Sequence, residues 1–472
     1  MLLPVVIAGG IGARLWPISR TMSPKQFIDF PGLEGSLFQN TIARLGSITG
    51  ASEPLIVCNL EHRFLVAEQL RNLNTNHSKI LLEPFARNTA PATAMASLLA
   101  IQSDPDALLL VLPSDHHIKD LKEFTSVVRE GEKLALQDHL VTFGVPPSSA
   151  ETGYGYIEIG DKIDSSCGYK VSNFVEKPDK ETAESFLQSS SYYWNSGMFM
   201  FSARRYLEDL KTYASDIHDS CVKAFDQVKN EGDFLKILEA DFEQCRSDSI
   251  DYAVMENTPH AAMIPFDVGW SDLGSWDALW DFQHKNESGN ILDGDVIAEN
   301  VKNSYVQSNS RLLAVVGIDD AVIVETPDSV LISNRSSVQN VKQIVEKLED
   351  ANRNESKAPK IVLRPWGSYE SIVKRKGYQV KHIIVRAGES LSLQMHRRRS
   401  EHWTVVKGKG VVTCDDQETT LELNESIFIP LGSKHRLANP FAEPVEIIEV
   451  QIGDYLGEDD IERFDDQYGR VE

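Results

Sequence analysis

Leu2-Leu3-Pro4-Val5-Val6-Ile7-Ala8-Gly9-Gly10-Ile11-Gly12-Ala13-Arg14-Leu15-Trp16-Pro17 opens the chain, and the first half of the fold is read from it. The unbroken apolar run Leu2–Ile7 predicts a strand covered on both faces. Glycines at its carboxyl end let the backbone turn tightly and aim N–H groups at an anion, and Arg14 adds positive charge. The spacing matches neither the dinucleotide fingerprint nor a Walker A loop. Shortly downstream, Ser23-Pro24-Lys25-Gln26 holds a lysine on a proline-stiffened loop.

Outward from this stretch, apolar runs at Leu55–Asn59, Ile80–Leu82, Leu108–Leu112 and Leu140–Phe143 predict further strands. Amphipathic segments at Leu37–Leu45, Glu61–Leu70, Ala90–Ile101 and Phe124–Leu136 lie between them. Such alternation predicts βαβ units and a mostly parallel sheet, an α/β domain over residues 1–285. Ligands of such sheets gather beyond the carboxyl ends of the strands, where Asp115 stands. Residues 286–350 read as a small turn-rich β unit followed by a helix over Val338–Leu348, residues 351–359 as a polar linker, and residues 360–472 as an all-β sandwich or jelly roll.

The 472 residues carry 47 Lys and Arg against 70 Asp and Glu, a net charge of −23, which argues against a general binder of nucleic acid or anionic membrane. Five cysteines without a C-x-x-C pair predict reduced thiols rather than a disulfide framework. The apolar N-terminus lacks a basic flank and is too short for a signal peptide, and no run approaches the roughly 20 residues of a membrane span. A soluble, cytoplasmic protein is expected.

The GG-x-G-x-R-L-W-P loop followed by P-K-Q-F resembles the signature of sugar-1-phosphate nucleotidylyltransferases, in particular the mannose-1-phosphate guanylyltransferases. Further matching pieces follow in order: Glu83-Pro84 with Arg87-Asn88-Thr89-Ala90-Pro91, Leu112-Pro113-Ser114-Asp115-His116, Thr152-Gly153-Tyr154-Gly155, Phe174-Val175-Glu176-Lys177-Pro178, Trp194-Asn195-Ser196-Gly197 and Gly269-Trp270-Ser271-Asp272. The resemblance implies a Rossmann-like nucleotidyltransferase domain in which Asp115 and Asp272 hold Mg²⁺, the hard cation such transfers use. It also implies that Arg14 and Lys25 face the triphosphate, that Gly9, Gly10, Gly12, Ala13, Glu83, Arg87, Asn88 and Thr89 bind the nucleotide, and that Gly153, Tyr154, Glu176, Lys177 and Asn195 bind the sugar phosphate. The substrates implied are GTP and mannose 1-phosphate, with GDP-mannose as product.

In the last domain Gly388, Gln394-x-His396, Glu401 and Gly408, then Asn424, Pro430-x-Gly432, His435 and Asn439, resemble the two-part cupin signature, with Gln394 at a common His position and Asn424 at a common Gly position. Gln394, His396, Glu401 and His435 form a candidate N/O metal set suited to Zn²⁺, Mn²⁺, Fe²⁺ or Co²⁺, three of them expected on one hairpin. The string Leu393–Trp403 is similar to the motif of type II phosphomannose isomerases, except that Arg397 and Arg398 stand where many members carry His. That resemblance implies interconversion of fructose 6-phosphate and mannose 6-phosphate, with Lys381, Arg399 and Arg436 as candidates for gripping phosphate or assisting the proton transfer. The whole chain thus resembles the bifunctional mannose-1-phosphate guanylyltransferase/mannose-6-phosphate isomerases, a homo-oligomer being open. A transferase with a silent cupin, and a regulatory protein that binds sugar nucleotides without turnover, are the rival readings.

Overall fold

The computed structural model describes residues 1–465 except 78 and 165; the last seven residues of the expected cupin segment, 466–472, lie outside the described residues. The chain divides into two compact units, residues 1–352 and residues 353–472.

In the first unit Leu2–Ala8 pairs in parallel with Leu55–Asn59 on one side and Leu108–Pro113 on the other. Lys79–Glu83 and Phe234–Lys236 extend the same parallel array. Because side chains alternate along a strand, Val5, Val57, Leu81 and Leu109 enter one core, and Val6, Ile56, Ile80 and Leu110 the other. Continuous apolar runs are what two such cores require. Helix Thr89–Ser103 covers the first core with Ala90, Ala92, Ala94 and Ala96, small residues that let it lie close. Helices Leu37–Leu45 and Leu121–Ala135 cover the other, the former started by a capping box of Ser36 and Gln39.

Beyond Leu108–Pro113 the sheet becomes mixed. Tyr192–Ser202 runs antiparallel between Leu108–Pro113 and Leu140–Val145, and Tyr169–Glu176 and Gly155–Lys162 close that side. The parallel arrangement therefore holds for the half of the sheet around Leu2–Ala8, while an antiparallel half brings Glu176 and Asn195 to the same edge.

The turn-rich segment belongs to this unit. Ile291–Asp293, Tyr305–Ser308 and Ala321–Thr326 stack in parallel, as do Val296–Glu299 and Leu313–Val316. Its helix begins later than the sequence suggests, with a 3-10 segment Arg335–Asn340 before α-helix Val341–Asp350. Val338, Val341 and Val345 share a core with Leu15, Trp16, Leu273 and Trp276, so the coil is packed onto the loops of the site. Arg20 reaches Asp328 at 2.8 Å and Trp276 Nε1 donates to the Trp16 carbonyl at 3.1 Å.

The second unit starts within the polar stretch read as a linker, which includes the short helix Asn354–Lys357. Two sheets of six and five strands follow, packed about Val385, Trp403, Val412, Leu437 and Val445. Among the described residues no helix is long and apolar enough to cross a membrane.

Candidate functional sites

Gly10 and Gly12 take positive φ, 83° and 71°, and carry the chain from Leu2–Ala8 into a single 3-10 turn at Ala13–Leu15. A Cβ on Gly12 would stand 2.5 Å from Lys25 Cβ, so only glycine admits the lysine here. Lys25 is 3% exposed, and its ammonium contacts Asp115 Oδ2 at 2.6 Å and the Asp272 carbonyl at 2.5 Å. Burial alone would push the Asp115 carboxyl up; Lys25, and then His116, hold it below its ordinary value. Tyr154 Oη donates to Asp272 Oδ1 at 2.8 Å, and the Gly274 N–H to the same atom at 3.0 Å. Two aspartates from remote parts of the chain thus surround one buried ammonium, a set of hard oxygen donors that fits a small divalent cation.

Of these residues Gly10, Gly12, Tyr154, Asp272 and Gly274 line a cleft of about 1400 Å³, together with Gly9, Ala13, Arg14, Glu83, Gly153 and Lys177. Glu83 is buried with Oε1 lacking a hydrogen-bond partner among the described residues, and burial, then the Cys245 thiol, pushes its carboxyl up to about 8. Asn88 and Thr89 line an adjoining cavity of about 300 Å³ with Gly10 and Asp115, and the Asn88 side chain caps the helix at Thr89. Arg87 is turned away: it lies over the Phe85 ring and donates to the Glu243 carbonyl at 2.7 Å, lining neither cavity.

On the antiparallel side Lys177 Nζ pairs with Glu176 Oε1 at 3.0 Å, and Asn195 Nδ2 donates to Asp251 Oδ1 at 2.7 Å. A Cβ on Gly155 would meet Glu176 Oε2 at 2.3 Å, so this glycine opens the space beside the carboxylate. Asp251 carries no signal in the sequence. It lies in a π-turn, Asp251–Met255, without any motif, and burial followed by Glu176 raises its carboxyl to about 6.

In the second unit one ligand atom each from His396, Glu401 and His435 fall within 4.8 Å of one another, all three residues buried. Gln394, His396 and Glu401, expected on one hairpin, do not share one. Leu393–His396 lies in the five-stranded sheet beside His435–Ala438, and Arg399–Lys407 in the six-stranded one, so the chain changes sheets at Arg397–Arg398. His396 Nε2 stands 3.0 Å and His435 Nε2 3.6 Å from the Glu401 carboxylate. His435 Nδ1 hydrogen-bonds the Ser433 carbonyl at 3.0 Å, which assigns its proton and leaves Nε2 with a lone pair and, among the described residues, no hydrogen-bond partner. That orphaned buried nitrogen, with two further donors converging, fits a divalent metal. Gln394 pairs with His435 across the strands, and its Oε1 accepts from Ser392 Oγ at 3.2 Å.

Arg399, 2% exposed, is brought into the cluster: Nε lies 3.3 Å from Glu401 Oε1 and Nη2 3.4 Å from His396 Nε2. Burial opposes ionisation of Glu401, but His396, His435 and Arg399 hold it well below the usual carboxylate range. Strand register sets a row beside it, Lys381 opposite Glu449 and Glu449 opposite Trp403, with Gln451 opposite Glu401. Trp403 Nε1 and Gln451 Nε2 each donate to both Glu401 and Glu449, at 2.8–3.2 Å. Lys381, Arg364, Arg399, Arg463 and Glu458 line a small cavity of about 50 Å³, where Glu458 pairs with Lys381 at 2.8 Å. Arg436 is not brought in. It follows the buried His435 on a strand, so it faces the other way, and it pairs with Asp465. Arg397 and Arg398 are exposed and paired with Glu462 and Asp454, each at 2.8 Å.

Three family models match the chain in succession: nucleotidyl transferase over residues 3–289, MannoseP isomerase/GMP-like beta-helix domain over 294–348, and mannose-6-phosphate isomerase C-terminal over 351–466. The mannose-1-phosphate guanylyltransferase of Escherichia coli K12 is 49% identical, with 100% of this chain and 99% of that protein covered. The alginate biosynthesis protein AlgA of Pseudomonas aeruginosa is 48% identical, with 100% and 98% covered. A solved structure described as mannose-1-phosphate geranyltransferase from Thermus thermophilus superposes with a TM-score of 0.65 at 27% identity, covering 74% of this chain and 99% of that one. For a mannose-6-phosphate isomerase from Helicobacter pylori the TM-score is 0.50 at 33% identity, with 57% and 99% covered. A nucleotide-type loop, a parallel coil docked on it and a buried histidine–glutamate cluster in a double sheet are thus accounted for together, and over its whole length the chain belongs to the mannose-1-phosphate guanylyltransferase family whose members carry a mannose-6-phosphate isomerase C-terminal domain.

Proposed function

We propose that the first unit makes GDP-mannose and pyrophosphate from GTP and mannose 1-phosphate, and that the second interconverts fructose 6-phosphate and mannose 6-phosphate. The observation that carries the first activity is the Lys25 ammonium fixed between the Asp115 carboxylate and the Asp272 backbone beneath the glycine loop. Nucleotidyl transfer needs positioning and charge neutralisation rather than a protein nucleophile. A phosphate oxygen of the sugar attacks the α-phosphorus in line; that P–O bond forms as the bond to the β-phosphate oxygen breaks, and pyrophosphate leaves. Asp115 and Asp272 would hold Mg²⁺, which when bound spreads the developing charge. The loop from Gly9 to Ala13 presents N–H groups to the phosphates, and Arg14 and Lys25 offset their charge. Glu83 offers two carboxylate acceptors to the N1–H and amino group of guanine. Glu176, Asn195 and Asp251 suit the hydroxyls of the hexose, and Lys177 its phosphate.

For the isomerase, His396, Glu401 and His435 with Gln394 would hold a transition metal such as Zn²⁺, Mn²⁺, Fe²⁺ or Co²⁺, which supplies a Lewis acid for the carbonyl oxygen. Lys381, Arg364 and Arg399 suit the sugar's phosphate. The silent-cupin reading draws on Arg397 and Arg398, whose exposed side chains pair with Glu462 and Asp454 rather than with His396, Glu401 or His435. The five unpaired cysteines suit a reducing cytoplasm. The deciding experiment assays one full-length preparation twice: pyrophosphate from GTP plus mannose 1-phosphate, and mannose 6-phosphate from fructose 6-phosphate after chelation and metal return. Both activities are expected, the second lost in His396→Ala. Pyrophosphate release alone, with every metal tried, would leave a single-function transferase.

A further inference from the structure

The helical segment that follows the parallel coil of residues 291–334 reaches the nucleotide cleft itself, through Gln339 and Lys342. Gln339 stands in the 3-10 segment Arg335–Asn340 and its Oε1 accepts from Arg14 Nη1 at 3.0 Å. Val338 beside it packs in the same core as Leu15, the neighbour of Arg14, so the two side chains are held from one apolar cluster. The contact is braced by Arg335, whose guanidinium meets Asp277 Oδ1 at 2.6 Å and lies 3.4 Å over the Trp280 ring. Three residues beyond Gln339, Lys342 lies on the wall of the same 1400 Å³ cleft. Its side chain is 66% exposed, and its pairing with Glu346 at 3.5 Å is an exposed contact that yields readily to a stronger anion.

Charge explains why these two residues matter. Six carboxyl side chains line the cleft against four Lys and Arg, so a nucleoside triphosphate enters only where cations stand close to it. A neutral amide is also the partner that directs a guanidinium without cancelling its charge, as a carboxylate would.

We propose that this accessory coil completes the transferase site: Gln339 is a positioning residue that aims Arg14 into the cleft, and Lys342 brings a cation to the phosphates of the triphosphate. The inference rests on the guanylyl-transfer reading and adds to it residues from outside the nucleotidyl transferase fold.

The test uses the full chain, with pyrophosphate release and GTP binding by calorimetry measured side by side. Lys342→Ala raises KM for GTP about fivefold and Lys342→Glu more, with kcat and KM for mannose 1-phosphate little changed. Lys342→Arg restores the wild-type value, and the difference shrinks as salt is raised. Gln339→Ala lowers kcat/KM about tenfold. Gln339→Glu keeps Arg14 in place but neutralises it, so it lowers kcat/KM further while the melting temperature matches wild type. A merely structural role predicts the reverse ordering, with the ion-pairing variant the better enzyme. Wild-type KM in Lys342→Glu together with wild-type kcat/KM in Gln339→Glu overturns the inference and leaves the transferase standing. Where the wild type itself releases no pyrophosphate, the functional reading falls; the GTP affinity of Lys342→Glu still decides the inference, a weakened value supporting it and an unchanged one overturning it.

Discussion

The two sites solve opposite problems. The nucleotide cleft is wide, about 1400 Å³, and its lining is gathered from several separate stretches of chain between Gly9 and Lys342. The cupin cluster adjoins a cavity of about 50 Å³, well short of the roughly 300 Å³ at which ligand pockets begin, and is built from side chains on paired strands. A triphosphate is large and carries its own charge, so the protein meets it with N–H groups and a few cations. A small proton transfer needs a dry, crowded centre whose donors are fixed by strand register.

If the two centres are independent, they should be separable by single changes. Asp115→Asn is expected to cut pyrophosphate release about 10³-fold while isomerisation continues, and His396→Ala to do the converse with loss of bound metal. Loss of both activities in either folded variant would break the comparison. Gly12→Ala tests the backbone side of it: positive φ and the 2.5 Å approach to Lys25 Cβ forbid the methyl group. A fall of about 100-fold in transfer is expected, with isomerase kinetics unchanged.

A titration sharpens the contrast further. Glu83, raised to about 8 by burial, is protonated at neutral pH in the empty cleft, whereas guanine's donors call for the carboxylate. GTP affinity should therefore rise about tenfold per unit between pH 6 and 7 and flatten above 8, with a proton released on binding. A flat calorimetric profile would remove Glu83 from base recognition. The smallest effect belongs to the cupin centre. Glu458→Gln takes a competing carboxylate off Lys381 and is expected to lower KM for the hexose 6-phosphate about threefold.

How much of this was legible follows the physics of each element. The parallel strands announced themselves because burial on two faces demands unbroken apolar runs. Gly155–Lys162 did not, since its second half is exposed and charged residues interrupt the alternation. Motifs located Lys25, Asp115 and Asp272 but gave no side-chain direction, which is why Arg87 was expected at the nucleotide and lies over Phe85 instead. The period of two along His435–Ala438 already contained the answer for Arg436. The same period points to Glu449 and Gln451, polar residues at inward positions of a strand whose other inward residues are Val445 and Ile447, and it went unused. Gln339, Lys342 and Asp251 reach their sites only through tertiary packing, and nothing local signals them.

The clasp around the glycine loop has a last consequence. Lys25 N–H donates to the Ile11 carbonyl at 3.2 Å, the Gln26 amide to the carbonyls of Gly9 and Gly10 at 3.3 and 3.2 Å, and Ser19 Oγ to that of Gly12 at 2.7 Å. Fixing backbone costs about 1–2 kcal/mol per residue in conformational entropy, and here that ordering is completed when the chain folds rather than when nucleotide arrives. Association with GTP should consequently show little entropic penalty from the protein, and the loop amides, whose carbonyls rather than N–H groups are held by these bonds, should gain protection from hydrogen exchange only when nucleotide fills the cleft.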